Sequence, residues 1–216
     1  MANNKISEPM HTHPNQPTEL QFPIRGIIFD LDETLLTANL NFAAIRSAVG
    51  CAKGEDILTH VAQLPKSQQT KAHATILEHE QRDAEQAEWI AGAQAAVDHF
   101  QAQQLPMAIV TRNSKQAVAT KLEKNHVPIQ TVITRDDAPA KPDPTALLSI
   151  ASQWQIPPSN IAYVGDFLYD VLAANNAQMH ACLYLRRTRE DYAQYEHKAD
   201  FVFSDYQALV EYVSRG

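Results

Sequence analysis

Asp30-Leu31-Asp32 follows directly on the apolar run Gly26-Ile27-Ile28-Phe29, so two carboxylates stand one residue apart where a buried strand would end. Thr111-Arg112-Asn113 follows Met107 to Val110 in the same way, and Gly165-Asp166, with Asp170 close behind, follows Ile161 to Val164. Between them Lys141 lies in Ala140-Lys141-Pro142-Asp143-Pro144. In extended backbone, residues two apart project to the same side, so Asp30 and Asp32 can face one ligand together. Carboxylates gathered at one place repel one another unless a hard cation neutralises them, and an all-oxygen donor set suits Mg²⁺. Each piece also has an ordinary reading: a turn for the Asp pair, a helix-entry residue for Thr111, a solvated loop lysine for Lys141, and an N-cap for Asp166. Their joint occurrence, in order and each at a strand terminus, is what points to a site.

The elements that must bring these residues together are legible in the pattern. Short aliphatic runs at Ile24 to Phe29, Met107 to Val110, Thr131 to Thr134, Ile161 to Val164, Ala181 to Leu185 and Phe201 to Phe203 alternate with longer helical stretches. Near-continuous apolar strands separated by helices predict an α/β fold with a doubly wound, Rossmann-like parallel sheet covered on both faces. In such a sheet ligands bind at the carboxyl ends of the strands, where the strand order reverses. Ser114 is placed to cap one helix, which Asn125 would end in a left-handed conformation. Asp143-Pro144 reads as an N-cap followed by proline at the first helical position, and Pro157-Pro158 as the stop of that helix.

One interval breaks the rhythm. Roughly 75 residues separate the first two strands, far beyond an ordinary crossover connection. The stretch is helical and polar, with breaks at Gly50, Gly54 and Pro65, and predicts a small α-helical cap over residues 37–89, before a helix from about Gly92 to Gln103 rejoins the core. The core then comprises 23–36 and 90–216, and the polar residues 1–22, with His11 and His13, read as a flexible tail.

The four stretches resemble the motifs of the haloacid dehalogenase superfamily, in its phosphoglycolate-phosphatase-like group. Asp30-Leu31-Asp32-Glu33-Thr34 is similar to the first motif, Thr111 to the second, Lys141 to the third, and Gly165-Asp166 with Asp170 to the fourth. The likeness runs from about Ile24 to the C-terminus, apart from much of the helical interval. It implies a Mg²⁺-dependent phosphatase that hydrolyses a small phosphorylated metabolite, of phosphoglycolate or sugar-phosphate type, through an aspartyl-phosphate. Asp30 would be the nucleophile and Asp32 the acid and base, while Thr111, Lys141, Asn113 and Arg112 would contact the phosphate, Arg112 otherwise facing solvent. Asp30, the Asp32 main-chain carbonyl and Asp166 would hold the metal, and Asp170 would orient Lys141 or a water on the metal. Two residues depart from the family pattern. Glu33 stands where glycine is frequent, and Phe167 where a small polar residue is frequent. A phosphomutase or a dehalogenase on the same scaffold is the nearest alternative. A receiver-like signalling domain would carry its phosphoacceptor later in the chain and lack the insert, and a non-catalytic phosphate-binding protein is a further alternative.

Composition limits the partners. With 44% hydrophobic residues the chain can bury a core, and its formal charge of -7 repels nucleic-acid backbones and anionic membrane surfaces. No apolar run reaches the length of a membrane span, so the expectation is a cytoplasmic monomer or homodimer. Cys51 and Cys182 read as unpaired thiols, Trp89 and Trp154 as core residues, and His60, His73 and His79 as surface histidines on polar helices. His79-Glu80-Gln81-Arg82-Asp83 is no zinc motif, since aspartate occupies the place of the second histidine.

Overall fold

The computed structural model describes residues 23–186 and 192–215, so the expected tail at 1–22 lies outside the described residues. Each predicted strand is formed: β1 (Gly26–Phe29), β2 (Met107–Val110), β3 (Thr131–Ile133), β4 (Ile161–Gly165), β5 (His180–Tyr184) and β6 (Phe201–Phe203). They pair in parallel in the order β3-β2-β1-β4-β5-β6. The chain winds outward from β1 through β2 to β3, then crosses back to β4 on the other side of β1. The order therefore reverses between β1 and β4, the place where open α/β sheets bind ligands. Phe29 is level with Val164 across that seam and with Ile109 on the other side. The residues that follow these strands consequently emerge together.

Both faces of the sheet are covered, which is why its strands read as unbroken apolar runs. Ile27, Phe29, Ile109 and Val164 pack beneath α4 (Ala93–Ala102) and α8 (Tyr206–Val213). Ile28, Ala108, Tyr163 and Leu183 pack against α6 (Thr145–Trp154) and α7 (Leu168–Asn176). Ile27, Ile28 and Phe29 are wholly enclosed, each contributing about 1.5–3 kcal/mol relative to an exposed side chain.

The expected start of α5 (Lys115–Lys124) is confirmed, since the Ser114 side chain accepts from Ala117 N. Its end differs: Asn125 has φ -97° and the left-handed residue is His126, at φ 51°. Asn125 instead spends its side chain on the Ala87 and Lys121 carbonyls, bracing the helix end. α6 begins one residue later than expected, with Asp143 Oδ1 accepting from Thr145 N. It stops at left-handed Gln155, ahead of the two prolines.

The long interval folds into α1 (Phe42–Val49), α2 (Ile57–Gln63) and α3 (Lys66–Ala84). Ile45, Cys51, Ile57, Val61 and Ile76 form a hydrophobic cluster separate from the two on the sheet. Where the chain leaves and re-enters the sheet region, Leu36 and Trp89 form an antiparallel bridge, so the two linking segments hold each other. Trp89 also donates from Nε1 to the Asn125 carbonyl. Cys51 and Cys182 are buried free thiols. No helix among the described residues is long and apolar enough to cross a membrane.

Trp154 packs against the second cluster and lies over the backbone of β1, where a Cβ on Gly26 would come within 2.8 Å of its ring. Gly26→Ala is expected to lower stability by about 1–3 kcal/mol through this overpacking. A denaturant midpoint equal to that of the wild type would refute the close approach.

Candidate functional site

The loops after β1, β2 and β4 and the loop carrying Lys141 converge on one cavity of about 540 Å³. Asp30, Asp32, Thr111, Arg112, Lys141 and Asp166 line its floor, and residues of the helical insert together with Phe167 and Tyr169 line its walls. Asp30 is held in place through its backbone, whose N–H donates to Val164 O across the β1–β4 seam at 2.8 Å. Thr111 is tied likewise to Ile133 O at 3.0 Å. The sheet itself thus sets the spacing of the site.

Lys141 is the centre of the floor. Its Nζ donates to Asp30 Oδ1 at 2.5 Å, to Asp170 Oδ1 at 2.6 Å and to the Val110 carbonyl at 3.2 Å. Burial alone would pull this ammonium toward neutrality, but the Asp170 and Asp30 carboxylates outweigh it and hold the lysine charged, well above the ordinary lysine range. Asp30 is less fully compensated. Burial raises it to about 7 despite Lys141, with Asp170 and Asp32 adding to the rise.

Asp170 is fixed at both oxygens. Oδ1 accepts from Lys141 and from Tyr163 OH, and Oδ2 accepts from Phe167 N at the start of α7. A Cβ on Gly165 would lie 2.3 Å from the Asp170 side chain, so glycine is what lets that carboxylate come close. One carboxylate oxygen each of Asp30, Asp166 and Asp170 lie within 4.8 Å of one another. A buried, all-carboxylate donor set with one lysine among three acids has the chemistry of a divalent-cation site.

Asp32 sits beside this group and is held by residues that sequence reasoning missed. Lys121 Nζ on α5 donates to Asp32 Oδ1 at 2.5 Å and to Asp83 Oδ2, at the end of α3, at 2.7 Å. Asn113 Nδ2 donates to the other Asp32 oxygen at 2.8 Å, so this amide reaches Asp32 here. Burial raises the Asp32 carboxyl although Lys121 pulls it down. The signal for Lys121 was present in the periodicity. Ala117, Val118 and Lys121 are the buried residues of α5, so a lysine occupies a position that helical spacing assigns to the core. Likewise Glu80 and Asp83, three apart in the discarded zinc-like stretch, share the buried face of α3.

Contacts from the insert meet the floor at further points. Arg112 is only partly exposed: its Nη2 donates to Asp56 Oδ2 at 2.6 Å and its guanidinium lies 4.8 Å from the Tyr169 ring centre. Glu80 pairs with Arg135 and accepts from Ser114 N. His60 is half-buried instead of exposed, bound to Glu55 Oε2 and the Val49 carbonyl within the insert, whereas His73 is exposed. Phe167 stands edge-on to Tyr169 at the cavity wall.

Glu33 takes the left-handed conformation anyway, at φ 56°. Its Oε1 accepts from Ala38 N at 2.8 Å and from Arg186 Nη1 at 2.6 Å. The side chain thus closes its own loop, where glycine could only have supplied the backbone angle.

A family model for haloacid dehalogenase-like hydrolases matches residues 40–184. A haloacid dehalogenase-like hydrolase domain-containing protein of Arabidopsis thaliana is 28% identical over 170 residues, covering 74% of this chain and 69% of that protein. The crystal structure of a hydrolase from Pseudomonas syringae matches with a TM-score of 0.74 at 22% identity, over 89% of this chain and 98% of that one. A predicted phosphoglycolate phosphatase from Haemophilus somnus matches with a TM-score of 0.70 at 16% identity, over 88% and 97%. At these identities the two structures speak for the fold alone.

The Glu33 loop makes a separable test. Glu33→Ala removes the side-chain contacts and keeps the left-handed strain, whereas Glu33→Gly removes the same contacts and relieves the strain. The glycine variant should be the more stable of the two by about 1 kcal/mol in urea unfolding. The opposite order would mean that the backbone angle is not the strained feature.

Proposed function

The chain belongs to the haloacid dehalogenase-like hydrolase family, and we propose that it is a Mg²⁺-dependent phosphatase for a small phosphomonoester. The observation that carries the reading is the Lys141 ammonium lodged between Asp30 and Asp170 at the floor of the cavity. A carboxylate that approaches a phosphate meets repulsion of about 4 kcal/mol at about 4 Å and an effective dielectric constant near 20, nearly three decades in rate. Lys141 sits where it offsets part of that barrier while steering Asp30.

Asp30 is the nucleophile. Lys141 occupies its Oδ1, and no hydrogen bond is made to Oδ2 among the described residues, so that oxygen is the one to attack phosphorus. As the new O–P bond forms, the ester P–O bond breaks and Asp32 gives its proton to the departing alkoxide. In the second half a water attacks the aspartyl-phosphate, Asp32 takes its proton, and inorganic phosphate leaves as Asp30 is regenerated. Thr111 and Arg112 line the cavity where they can donate to phosphate oxygens. Asp30, Asp166 and the main-chain carbonyl of Asp32 would hold Mg²⁺, which when bound neutralises charge on the phosphoryl oxygens. Asp170 has both oxygens engaged and acts by fixing Lys141.

The helices α1 to α3 are the cap over this floor. Leu40, Phe42, Ile45, Ile57 and Ile76 give the cavity an apolar wall, which excludes water and favours a compact organic group beyond the phosphate. A phosphorylated metabolite of phosphoglycolate or sugar-phosphate size fits that description. The Haemophilus somnus protein of like fold, a predicted phosphoglycolate phosphatase, accords with it.

Purified protein with Mg²⁺ should hydrolyse para-nitrophenyl phosphate and at least one member of a phosphometabolite panel, and Asp30→Asn should abolish turnover while leaving the melting temperature within a few degrees. Inactivity of the wild type on every substrate would sink the reading. The metal assignment has its own test, through Asp30. Its carboxyl is raised from 3.8 to about 7 by burial, so the stability this group contributes is present below about pH 4 and lost as pH rises through 7. A cation on the ionised carboxylate offsets that loss and must displace a proton below pH 7. Mg²⁺ should therefore raise the melting temperature more at pH 8 than at pH 6, a difference that Asp30→Asn removes. An equal shift at both pH values in the wild type would place the cation elsewhere.

A further inference from the structure

We propose that Lys121, oriented by Asp83, is the positioning residue for Asp32, holding one carboxylate oxygen so that the other can serve the leaving group. The inference rests on the phosphatase reading and concerns a lysine that none of the four motifs contains. Lys121 has 0% exposure, and its ammonium meets two carboxylates, Asp32 Oδ1 at 2.5 Å and Asp83 Oδ2 at 2.7 Å. Asp32 Oδ2 accepts from Asn113 Nδ2 at 2.8 Å, so each oxygen of Asp32 has its own donor.

An acid that must reach a leaving oxygen needs one of these two contacts to give way. The Asn113 amide is neutral and the Lys121 contact is charge-assisted, which makes the amide the weaker partner. Asp32 then turns about its bond to Lys121, exchanging Asn113 for the substrate oxygen. Asp83 keeps the pivot from drifting. Its Oδ1 accepts from Asn39 N at 2.6 Å, so it is bound both to the segment leading into the helical insert and to the helix leading out. α5 is braced in turn by Asn125, whose amide reaches the Lys121 carbonyl.

Stability alone is a poor reason for this arrangement. Taking ions out of water costs several kcal/mol each, and well-packed apolar residues commonly replace such groups without loss. Lys121 stands on the same buried stripe as Ala117 and Val118, where an apolar residue would continue the core. The lysine at that place has Asp32 as its end.

The leaving group separates positioning from mere folding. kcat/KM reports events through cleavage of the ester bond, where a p-nitrophenolate departs without a proton and an alkoxide needs one. Lys121→Met should lower kcat/KM for an alkyl phosphate about 100-fold, the scale of a general acid, and that for para-nitrophenyl phosphate by a few fold at most. Because the single change leaves Asp83 unpaired, Lys121→Met with Asp83→Asn is tested beside it, both checked by thermal melting, and the same selective loss is expected. An equal fall with both substrates, or no fall with either, overturns the inference while the phosphatase reading stands. A wild type inactive on both substrates overturns the two together.

Discussion

The Lys141 ammonium lies between Asp30 Oδ1 and Asp170 Oδ1 with almost no solvent to share its charge. Much of the site can be traced from that one contact. A lysine kept charged in the interior requires carboxylates within hydrogen-bond reach, and those carboxylates require fixed strand ends to hold them there. The level endings of β1, β2 and β4 provide this, and the missing side chain of Gly165 allows Asp170 its approach. Asp30 remains only partly compensated, since burial outweighs the lysine's pull. Strongly perturbed carboxyls of this kind cluster at functional sites.

A second buried lysine repeats the device with a different geometry. Lys121 meets Asp32 from the floor and Asp83 from the helical insert, while Arg112 meets Asp56 and Arg135 meets Glu80. The insert has a hydrophobic cluster of its own, so these charged contacts are prominent in what ties it to the sheet-bearing part. An insert held this way has a defined seat over the cavity, with Asp32 at one of its attachment points.

Glu33 illustrates how a departure from a family pattern can preserve the backbone and add a function to the side chain. Its φ of 56° is the angle glycine would adopt at low cost, and the strain of about 1–2 kcal/mol is offset by the contacts to Ala38 and Arg186. Phe167 similarly trades a small polar side chain for ring contacts with Tyr169 and Tyr195 at the cavity wall.

The sequence by itself determined the parallel sheet, its six strands, the helical insert and the four strand-end stretches, because period, turn chemistry and interval length are local properties of the chain. It also placed Ser114 as a cap, since an N-cap needs only its own next three residues. What the tertiary structure decided are the partnerships across long separations. Lys121 with Asp32 spans 89 positions, Arg112 with Asp56 spans 56, and Glu33 with Arg186 spans 153. A charged residue on a helix reads as solvated until the fold shows what packs over it, as it does over Lys121, and Arg112, for which solvent was one alternative, meets Asp56 instead. The direction of Asn113 toward Asp32 and the shift of the left-handed residue from Asn125 to His126 have the same origin. Hydrogen-bond donors turn to whichever acceptor the assembled elements bring within reach, and that choice is made only after the chain has folded.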